Sequence, residues 1–189
     1  VDPVVTAAQI VMGLQTIASR QLDVTAAPSI ISVGRIEGGV RNNVIPDSVE
    51  LEGTIRAFQP EMREQIHIAM EQMARSIAEA NGATIDWELE LGNPPVRNNA
   101  ALFEQMTPAL EWAAGSPLVP LNPQTVAEDF SEYAERTPSL FVFLGNWPAE
   151  LDPSQQPTNH SPKFDMHEPY LENGVKAFGN MVVTYLQEQ

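Results

Sequence analysis

The stretch that decides the fold is VELEGTIRAFQPEMREQI, residues 49–66, in which the spacing of the apolar residues changes partway along. From Val49 to Ala57 apolar and polar residues alternate, which is typical of a strand with one face on a core and the other in water. After Gln59 and Pro60 the apolar residues recur at helical spacing, and proline is favoured at the first helical position. A strand that leads directly into an amphipathic helix indicates a fold that mixes helices with a sheet.

Upstream of this stretch the sequence predicts a helix and a further strand. Asp2 followed by Pro3 is a helix-start signal, and the apolar residues behind them recur at helical spacing over residues 3–20. A run rich in β-branched residues then extends from Ser29 to Ile36. This run predicts a strand that precedes the alternating one.

Downstream, the helix that begins near Pro60 is predicted to end before Gly82, because glycine is a favoured helix stop. ATIDWELEL, residues 83–91, alternates as a strand does. Residues 1–91 are therefore predicted as α-β-β-α-β. One more strand in front would complete the β-α-β-β-α-β arrangement of a ferredoxin-like domain, so we expect further polypeptide upstream of Val1.

A turn cluster, GNPPVRNN at residues 92–99, is the predicted boundary between this part and a second part, residues 93–189. Residues 146–169 form a predicted loop with five prolines, and loops of this length in compact domains are uncommon and often functional. The other predicted elements of the second part are a helix near 99–114, a short helix within AEDFSEYAER (127–136), a buried strand SLFVFLG (139–145) and a last helix near 169–187.

The composition excludes several classes of protein. The chain has 189 residues, of which 43% are apolar, a formal net charge of −15 and no cysteine. The excess of acid argues against binding nucleic-acid phosphates or an anionic membrane surface. The lack of cysteine excludes disulfides and thiolate metal ligands. No apolar run approaches the roughly 20 residues that span a bilayer, and both a cytoplasmic and an exported location remain open.

His160 is the candidate metal ligand, in PTNHSPKFDMHE at residues 157–168. Its imidazole could bind a metal or transfer protons, or it could only hydrogen-bond its neighbours in the loop. His167 fits a capping or surface role at the start of the last helix, and we expect His67, among polar residues of its helix, to be solvated. A hydrolytic metal site needs three or more ligands, and the chain contains no HxH, HxxxH or HExxH pair.

Four other polar residues are candidates, each with a local alternative. Glu128 and Asp129 could form a catalytic carboxylate pair or could be acids favoured at a helix N-terminus. Asn43 could be a turn residue that satisfies its own backbone. Arg56 lies on the polar face of its strand, where it could pair with neighbouring glutamates across the sheet or bind a substrate carboxylate through two parallel hydrogen bonds.

Three motifs in this order and combination resemble one known family, over essentially the whole chain. They are GGVRNNVIPDSVELEGTIRAF (38–58), AEDFSEY followed by FVFLG (127–133 and 141–145), and NHSPKFDMHEPYLENG (159–174). The chain resembles the aminoacylase, carboxypeptidase and hippurate-hydrolase family of dinuclear-metal amidohydrolases. Within it the nearest group is the amidohydrolases that cleave N-acyl and auxin-type amino-acid conjugates.

The resemblance implies an α/β fold with two parts. Residues 1–91 would be most of a ferredoxin-like lid and dimerisation domain that lacks its first strand. Residues 93–189 would be the C-terminal half of an α/β metallopeptidase catalytic domain. The protein would form a homodimer through residues 1–91.

The resemblance also assigns roles to four residues. His160 matches the family's last metal ligand, and Asn43 and Arg56 match substrate contacts, the arginine to the substrate carboxylate. Glu128 belongs to a motif that lines the active-site region. The general base and the other metal ligands would lie upstream of Val1, so no catalytic residue is expected among the 189, and the chain by itself is expected to be inactive.

The chemistry that the resemblance implies is hydrolysis of the amide bond of N-acyl amino acids or small peptides by a metal-activated water. Two divalent metal ions, zinc or manganese, would take part, with one ligand from this chain. The alternative is a non-catalytic dimerisation or small-ligand-binding α+β module, because fold alone does not fix function. A family member that binds without cleaving would have the upstream ligands replaced.

Overall fold

A computed structural model describes residues 1–148 and 150–187. The chain divides into two compact units, Val1–Pro95 and Val96–Gln189, within the turn cluster. Among the described helices none is long and apolar enough to cross a membrane. The main elements in chain order are α1 (Pro3–Thr16) with a π-helical turn (Ile17–Gln21), β1 (Ser29–Glu37), β2 (Glu50–Ala57), α2 (Pro60–Ala80), α3 (Ala100–Ala114), α4 (Ser131–Ala134) and α5 (Leu171–Gln187), with short 3₁₀ turns at Pro153–Gln155 and Glu168–Tyr170.

Helix α1 begins where the sequence predicts. Asp2 Oδ1 accepts hydrogen bonds from the backbone N–H groups of Val4, at 2.9 Å, and Val5, at 3.3 Å. These are N–H groups that have no partner inside the helix, and Pro3 occupies the first position, where no N–H is needed. The π-helical turn extends the helix to Gln21, one residue beyond the predicted end.

Strands β1 and β2 form an antiparallel hairpin with a bulge at Gly34. Ile31 pairs with Ile55, whereas beyond the bulge Arg35 pairs with Glu52. An extra residue in one strand reverses the facing of everything that follows it. Arg35 therefore lies with Glu52 on the face opposite the partly buried Leu51.

The hairpin also requires a glycine at position 53. A Cβ there would lie 2.3 Å from the carbonyl oxygen of Ser32 and 3.3 Å from Val33 Cα, so the strands could not keep their spacing. At Gly34, in the bulge, no heavy atom of the described residues, apart from the two chain neighbours, lies within 4 Å of such a Cβ. Close approach of the backbones thus fixes the residue at position 53 and not at position 34.

The core of the first unit lies between one face of the hairpin and the two helices α1 and α2. The predicted apolar face of α2 packs there, and the helix ends at Ala80, before Asn81 and Gly82, as predicted. The buried members of this core are Ile10, Leu14, Ile17, Ile31, Met62, Ile66 and Ala74. The observed order α-β-β-α agrees with the prediction for this part of the chain.

The predicted strand at residues 83–91 is wrong. Burial alternates along residues 81–88, and Ile85 and Trp87 pack against the core, but no ladder joins the described segment to β1 or β2. Alternation specifies which side chains face the core, whereas a strand also needs a neighbouring backbone edge at hydrogen-bonding distance. The described sheet has two strands, and the fold is a mixture of helices with a small sheet.

In the second unit α3 begins and ends at clear signals. Asn99 Oδ1 accepts from Leu102 N at 2.9 Å, and Gly115 ends the helix with a left-handed φ of 68°. Met106 and Leu110 are buried, as their spacing predicts. Trp112 is 67% exposed, because it lies two positions from Leu110 and so on another side of the helix.

The apolar surfaces of the second unit are less covered than the sequence predicts. SLFVFLG, residues 139–145, was predicted to be a buried strand, but it has no ladder partner in the part of the chain that is described, and Val142, Phe143 and Leu144 are exposed. The apolar residues of α5 that recur at helical spacing are exposed as well, with Phe178 at 72%. A continuous apolar run is typical of a segment that packs against other elements on both faces. Among the described residues no element packs over these exposed side chains.

Candidate functional site

Asn43 lies in the loop between β1 and β2. Val44 N donates to Arg41 O at 3.4 Å, which closes a turn around Asn42 and Asn43. The Asn43 side chain is exposed and has no hydrogen-bond partner in the described structure, so the alternative that it satisfies its own backbone finds no support. An open cavity of about 680 Å³ adjoins it, lined by residues 38–46 together with Asp2 and Val4 at the start of α1.

Arg35 collects the acidic side chains of the hairpin. Its Nη1 lies 3.1 Å from Glu50 Oε1 and 3.3 Å from Glu52 Oε2, and its Nη2 also bonds the carboxylate of Glu37. The hydrogen bond with Glu37, followed by that with Glu52, raises the pKa of Arg35 above its usual value. The guanidinium of Arg35 is thereby committed to three carboxylates of its own sheet.

The guanidinium of Arg56, by contrast, has no hydrogen-bond or ion-pair partner among the described residues. It is half-buried near the end of β2, opposite Ile30 and on the face away from the helices. The alternative that Arg56 pairs with glutamates across the sheet is wrong, because Arg35 takes them. Its guanidinium is free to bind another anion.

The structure does not bring Asn43 and Arg56 together. Asn43 lies in the loop that precedes β2, at the end of the hairpin next to the start of α1. Arg56 lies six residues beyond the first residue of β2, which at about 3.4 Å per residue corresponds to roughly 20 Å. One small substrate cannot contact both side chains in a single copy of this unit.

Glu128 lies in the turn that leads into α4. Its Oε1 accepts from Phe130 N at 3.1 Å, and its carbonyl oxygen accepts from the hydroxyl of Ser131, which is fully buried, at 2.8 Å. These bonds agree with the local alternative, an acid at a helix start, and they orient the carboxylate. Asp129 contributes its carbonyl oxygen to Glu132 N at 3.0 Å.

Asn98 is a polar residue that the sequence analysis missed. Its Nδ2 donates to Phe141 O at 2.9 Å, and its Oδ1 accepts from Phe141 N at 2.8 Å. The neighbouring Asn99 N donates to Ser139 O at 2.9 Å. A pair of asparagines at the end of a turn cluster was the available signal, but their partners lie about 40 residues away and no local pattern reveals them.

His160 is exposed in the turn of the long loop. Ser161 N donates to Thr158 O at 2.9 Å and Phe164 N to Ser161 O at 3.0 Å, while the His160 side chain has no partner in the described part of the chain. Within residues 1–148 and 150–187, no group of three or more histidine, aspartate or glutamate side chains could hold a metal ion. The described residues around His160 therefore do not form a complete metal site.

The other two histidines differ in their surroundings. His167 precedes the 3₁₀ turn Glu168–Tyr170 as predicted, but its ring packs 5.1 Å from that of Tyr170 and makes no capping bond. His67 is half-buried on α2, which corrects the expectation that it is solvated. Burial of the imidazole lowers the pKa of His67 below its usual value, and the positive charge of Arg63 lowers it further by a smaller amount.

Comparison with known proteins places these residues in a family context. A family model described as peptidase family M20/M25/M40 matches residues 5–184. The chain is 32% identical over 189 residues to N-acetylcysteine deacetylase of Bacillus subtilis, covering 99% of this chain and 47% of that protein. It is 33% identical over 193 residues to IAA-amino acid hydrolase ILR1-like 4 of Arabidopsis thaliana, covering 100% of this chain and 43% of that protein.

A third relative and two solved structures agree. The chain is 32% identical over 186 residues to thermostable carboxypeptidase 1 of Saccharolobus solfataricus, covering 98% of this chain and 46% of that protein. A putative aminohydrolase from methicillin-resistant Staphylococcus aureus superposes with a TM-score of 0.84 at 27% identity, over 98% of this chain and 47% of that one. The YXEP protein of Bacillus subtilis, a dinuclear metal binding peptidase, superposes with a TM-score of 0.79 at 28% identity, over 99% of this chain and 47% of that one. The chain thus spans about half the length of the curated relatives it matches.

Proposed function

The chain belongs to peptidase family M20/M25/M40, and we propose from this premise that the protein containing it is a metal-dependent amidohydrolase. Its substrates would be N-acyl amino acids or small peptides, cleaved at the amide bond. The observation that carries this proposal is the match over nearly the whole chain to a deacetylase, an amino acid hydrolase and a carboxypeptidase.

In this proposal His160 is one ligand of a dinuclear zinc or manganese site. Its imidazole is exposed and free of partners in the described structure, and a structural relative binds two metals. Bound metal ions would lower the pKa of a water molecule and polarise the amide carbonyl. Because the described residues supply one ligand, the remaining ligands and the general base would belong to other polypeptide, and we assign no catalytic residue to this chain.

Arg56 is proposed to bind the free carboxylate of the substrate. Its freedom from acidic partners supports this role, because a planar guanidinium can hold a carboxylate by two parallel hydrogen bonds. Such a contact would orient the scissile amide rather than take part in proton transfer. Asn43, beside the open cavity, is proposed as a second substrate contact, and Glu128 as a residue that lines the active-site region.

We also propose that the two parts of the chain have different roles. Residues 1–91 would be a ferredoxin-like lid and dimerisation domain, supported by the α-β-β-α order and by the alternating burial of residues 81–88. Residues 93–189 would be part of the catalytic domain. A homodimer through residues 1–91 would also explain why Asn43 and Arg56 lie at opposite ends of one hairpin, since two copies could bring one of each to a shared substrate.

The experiment uses the full-length protein, dialysed against a chelator and then supplied with Zn²⁺ or Mn²⁺. Release of free amino acid from N-acetyl and hippuryl amino acids is measured before and after metal is restored. We expect hydrolysis that is lost on chelation and recovered with metal. Binding of these compounds without release under any metal condition would favour the alternative, a non-catalytic dimerisation or ligand-binding module.

A further inference from the structure

The side chain of Asn98 occupies the place that a neighbouring strand would take beside Phe141. In an antiparallel ladder one residue exchanges both an N–H and a C=O bond with the residue opposite it. The amide of Asn98 makes both bonds to the backbone of Phe141, at 2.9 and 2.8 Å. We propose that Asn98 is a positioning residue for the amide hydrolysis, because it holds Phe141 and, through Phe130, the carboxylate of Glu128; this inference rests on the proposed function.

The next residue, Asn99, fixes the position of Asn98 in turn. Asn99 accepts from Leu102 N with its side chain and so caps α3, while its backbone N–H bonds Ser139 O. The start of α3 is therefore tied to the extended segment at Ser139 and again at Phe141. Two attachments, two residues apart, fix both the place and the direction of this segment.

The ring of Phe141 transmits this position to the turn before α4. Its centroid lies 5.5 Å from that of Phe130 at an interplanar angle of 46°, and 5.3 Å from that of Phe143 at 82°. Both distances fall within the range of roughly 4.5–7 Å at which aromatic rings attract each other. Displacement of Phe141 would remove one of the two aromatic neighbours of the Phe130 ring in the described structure, the other being Tyr133.

The backbone of Phe130 in turn orients Glu128. The Glu128 carboxylate accepts from Phe130 N, and no cation of the described chain binds it. Its orientation therefore depends on where Phe130 lies. If Glu128 lines the active site, the sequence of contacts from Asn98 to Phe141, Phe130 and Glu128 sets the place of that carboxylate.

The test compares Asn98→Leu and Asn98→Asp with Asn180→Leu in the full-length protein. Leucine removes both bonds to Phe141, and an ionised aspartate keeps the bond from Phe141 N but cannot donate to Phe141 O. Asn180→Leu is the matched control, because it removes one amide bond in the same unit, from Nδ2 to Ala109 O, without touching Phe141. Asn98→Asp also serves as the informative variant if Asn98→Leu does not fold.

Two readouts are taken from each variant, kcat and KM for an N-acyl amino acid and hydrogen exchange at the Phe130 amide. We expect Asn98→Leu to lower kcat by about 10- to 100-fold, the cost of a small misplacement, with KM within about threefold. Asn98→Asp should be intermediate and Asn180→Leu close to wild type. Exchange at Phe130 should accelerate at least tenfold in Asn98→Leu alone.

The two readouts separate failure of this inference from failure of the proposed function. Unchanged Phe130 exchange and unchanged kcat in Asn98→Leu, or equal losses in Asn180→Leu, would overturn the positioning role while leaving the hydrolase intact. A wild-type protein without hydrolytic activity, in which Asn98→Leu still releases the Phe130 amide, would overturn the proposed function and retain the positioning of Glu128.

Discussion

Arg35 lies opposite Glu52 in the hairpin because the bulge at Gly34 shifts the register of β1 by one residue. Its Nη1 contacts the Glu52 carboxylate at 3.3 Å, and the same guanidinium binds Glu37 and Glu50. One arginine thus engages the acidic side chains at this end of the sheet. Arg56, on the same strand as Glu52, is left with its charge unpaired within the described chain.

Replacing Arg56 with alanine is expected to weaken substrate binding. Hydrogen bonds to charged groups contribute about 1.5–3 kcal/mol, and each 1.4 kcal/mol is about tenfold in affinity. If the protein is the proposed hydrolase, Arg56→Ala in the full-length protein should therefore raise KM by roughly 10- to 100-fold for substrates with a free carboxylate. Steady-state kinetics should show kcat within about threefold of wild type, because the proposed contact would orient the substrate without taking part in the reaction.

Two controls make this prediction specific. Amide-capped substrates, which lack the carboxylate, should lose little on Arg56→Ala. Arg35→Ala removes a positive charge from the same sheet but from a guanidinium that is already engaged, so it should leave KM unchanged. An equal rise in KM for capped and uncapped substrates would contradict the assignment of Arg56 to the substrate carboxylate.

Replacing His160 with alanine is expected to cost the full-length protein one equivalent of metal. An imidazole that ligates one of two ions cannot be replaced by a methyl group, so that ion should be lost on dialysis. Elemental analysis of the purified variant measures the loss directly. His167→Ala, seven residues along the same loop, is the control and should retain both equivalents; full metal content in His160→Ala would rule out ligation.

Local signals in the sequence were sufficient to predict the first unit up to the end of α2. Asp2 caps α1, alternation places Leu51 and Ile55 on the core face of β2, and Gly82 follows the end of α2. Each of these features depends on residues close to one another in the chain. The bulge at Gly34 was not predicted, because a glycine in a strand does not by itself specify a shift in register.

Features that depend on distant partners could not be predicted in the same way. SLFVFLG has the composition of a buried strand, yet in the described structure the backbone of its Phe141 pairs with the side chain of Asn98. For the candidate site, the sequence located Arg56 on a polar face but could not show that Arg35, a lone arginine of the other strand, would take its glutamates. The register of the hairpin decides whether Arg35 or Arg56 pairs with Glu50 and Glu52, and the register is set only when the two strands pair.

Gly53→Ala is expected to destabilise the protein much more than Gly34→Ala. The new methyl group at position 53 would lie 2.3 Å from Ser32 O, so the strands must separate, and overpacking of this kind costs about 1–3 kcal/mol. At Gly34 a new Cβ would have no heavy atom of the described residues within 4 Å beyond its chain neighbours, so the change should be small. Urea denaturation of both variants measures the difference; equal midpoints would show that the hairpin does not approach as closely as described.

Acidification is expected to destabilise the fold in part through His67. Burial, together with Arg63, lowers its pKa in the folded state below the usual value of 6.5, so between the two pKa values the unfolded chain binds more protons. The stabilisation from a neutral His67 is therefore complete above pH 6.5 and is lost as the pH falls through the lowered pKa. His67→Gln should show a smaller fall in melting temperature than wild type between pH 7 and about pH 5, the range in which an unperturbed histidine becomes charged.

Glu64→Gln is the matched variant: the negative charge of Glu64 raises the pKa of His67, so removing that charge should make the fall in melting temperature steeper than in wild type. Thermal unfolding followed by circular dichroism at each pH distinguishes the three proteins, and parallel curves for wild type and His67→Gln would mean that burial of this imidazole does not contribute to the acid sensitivity.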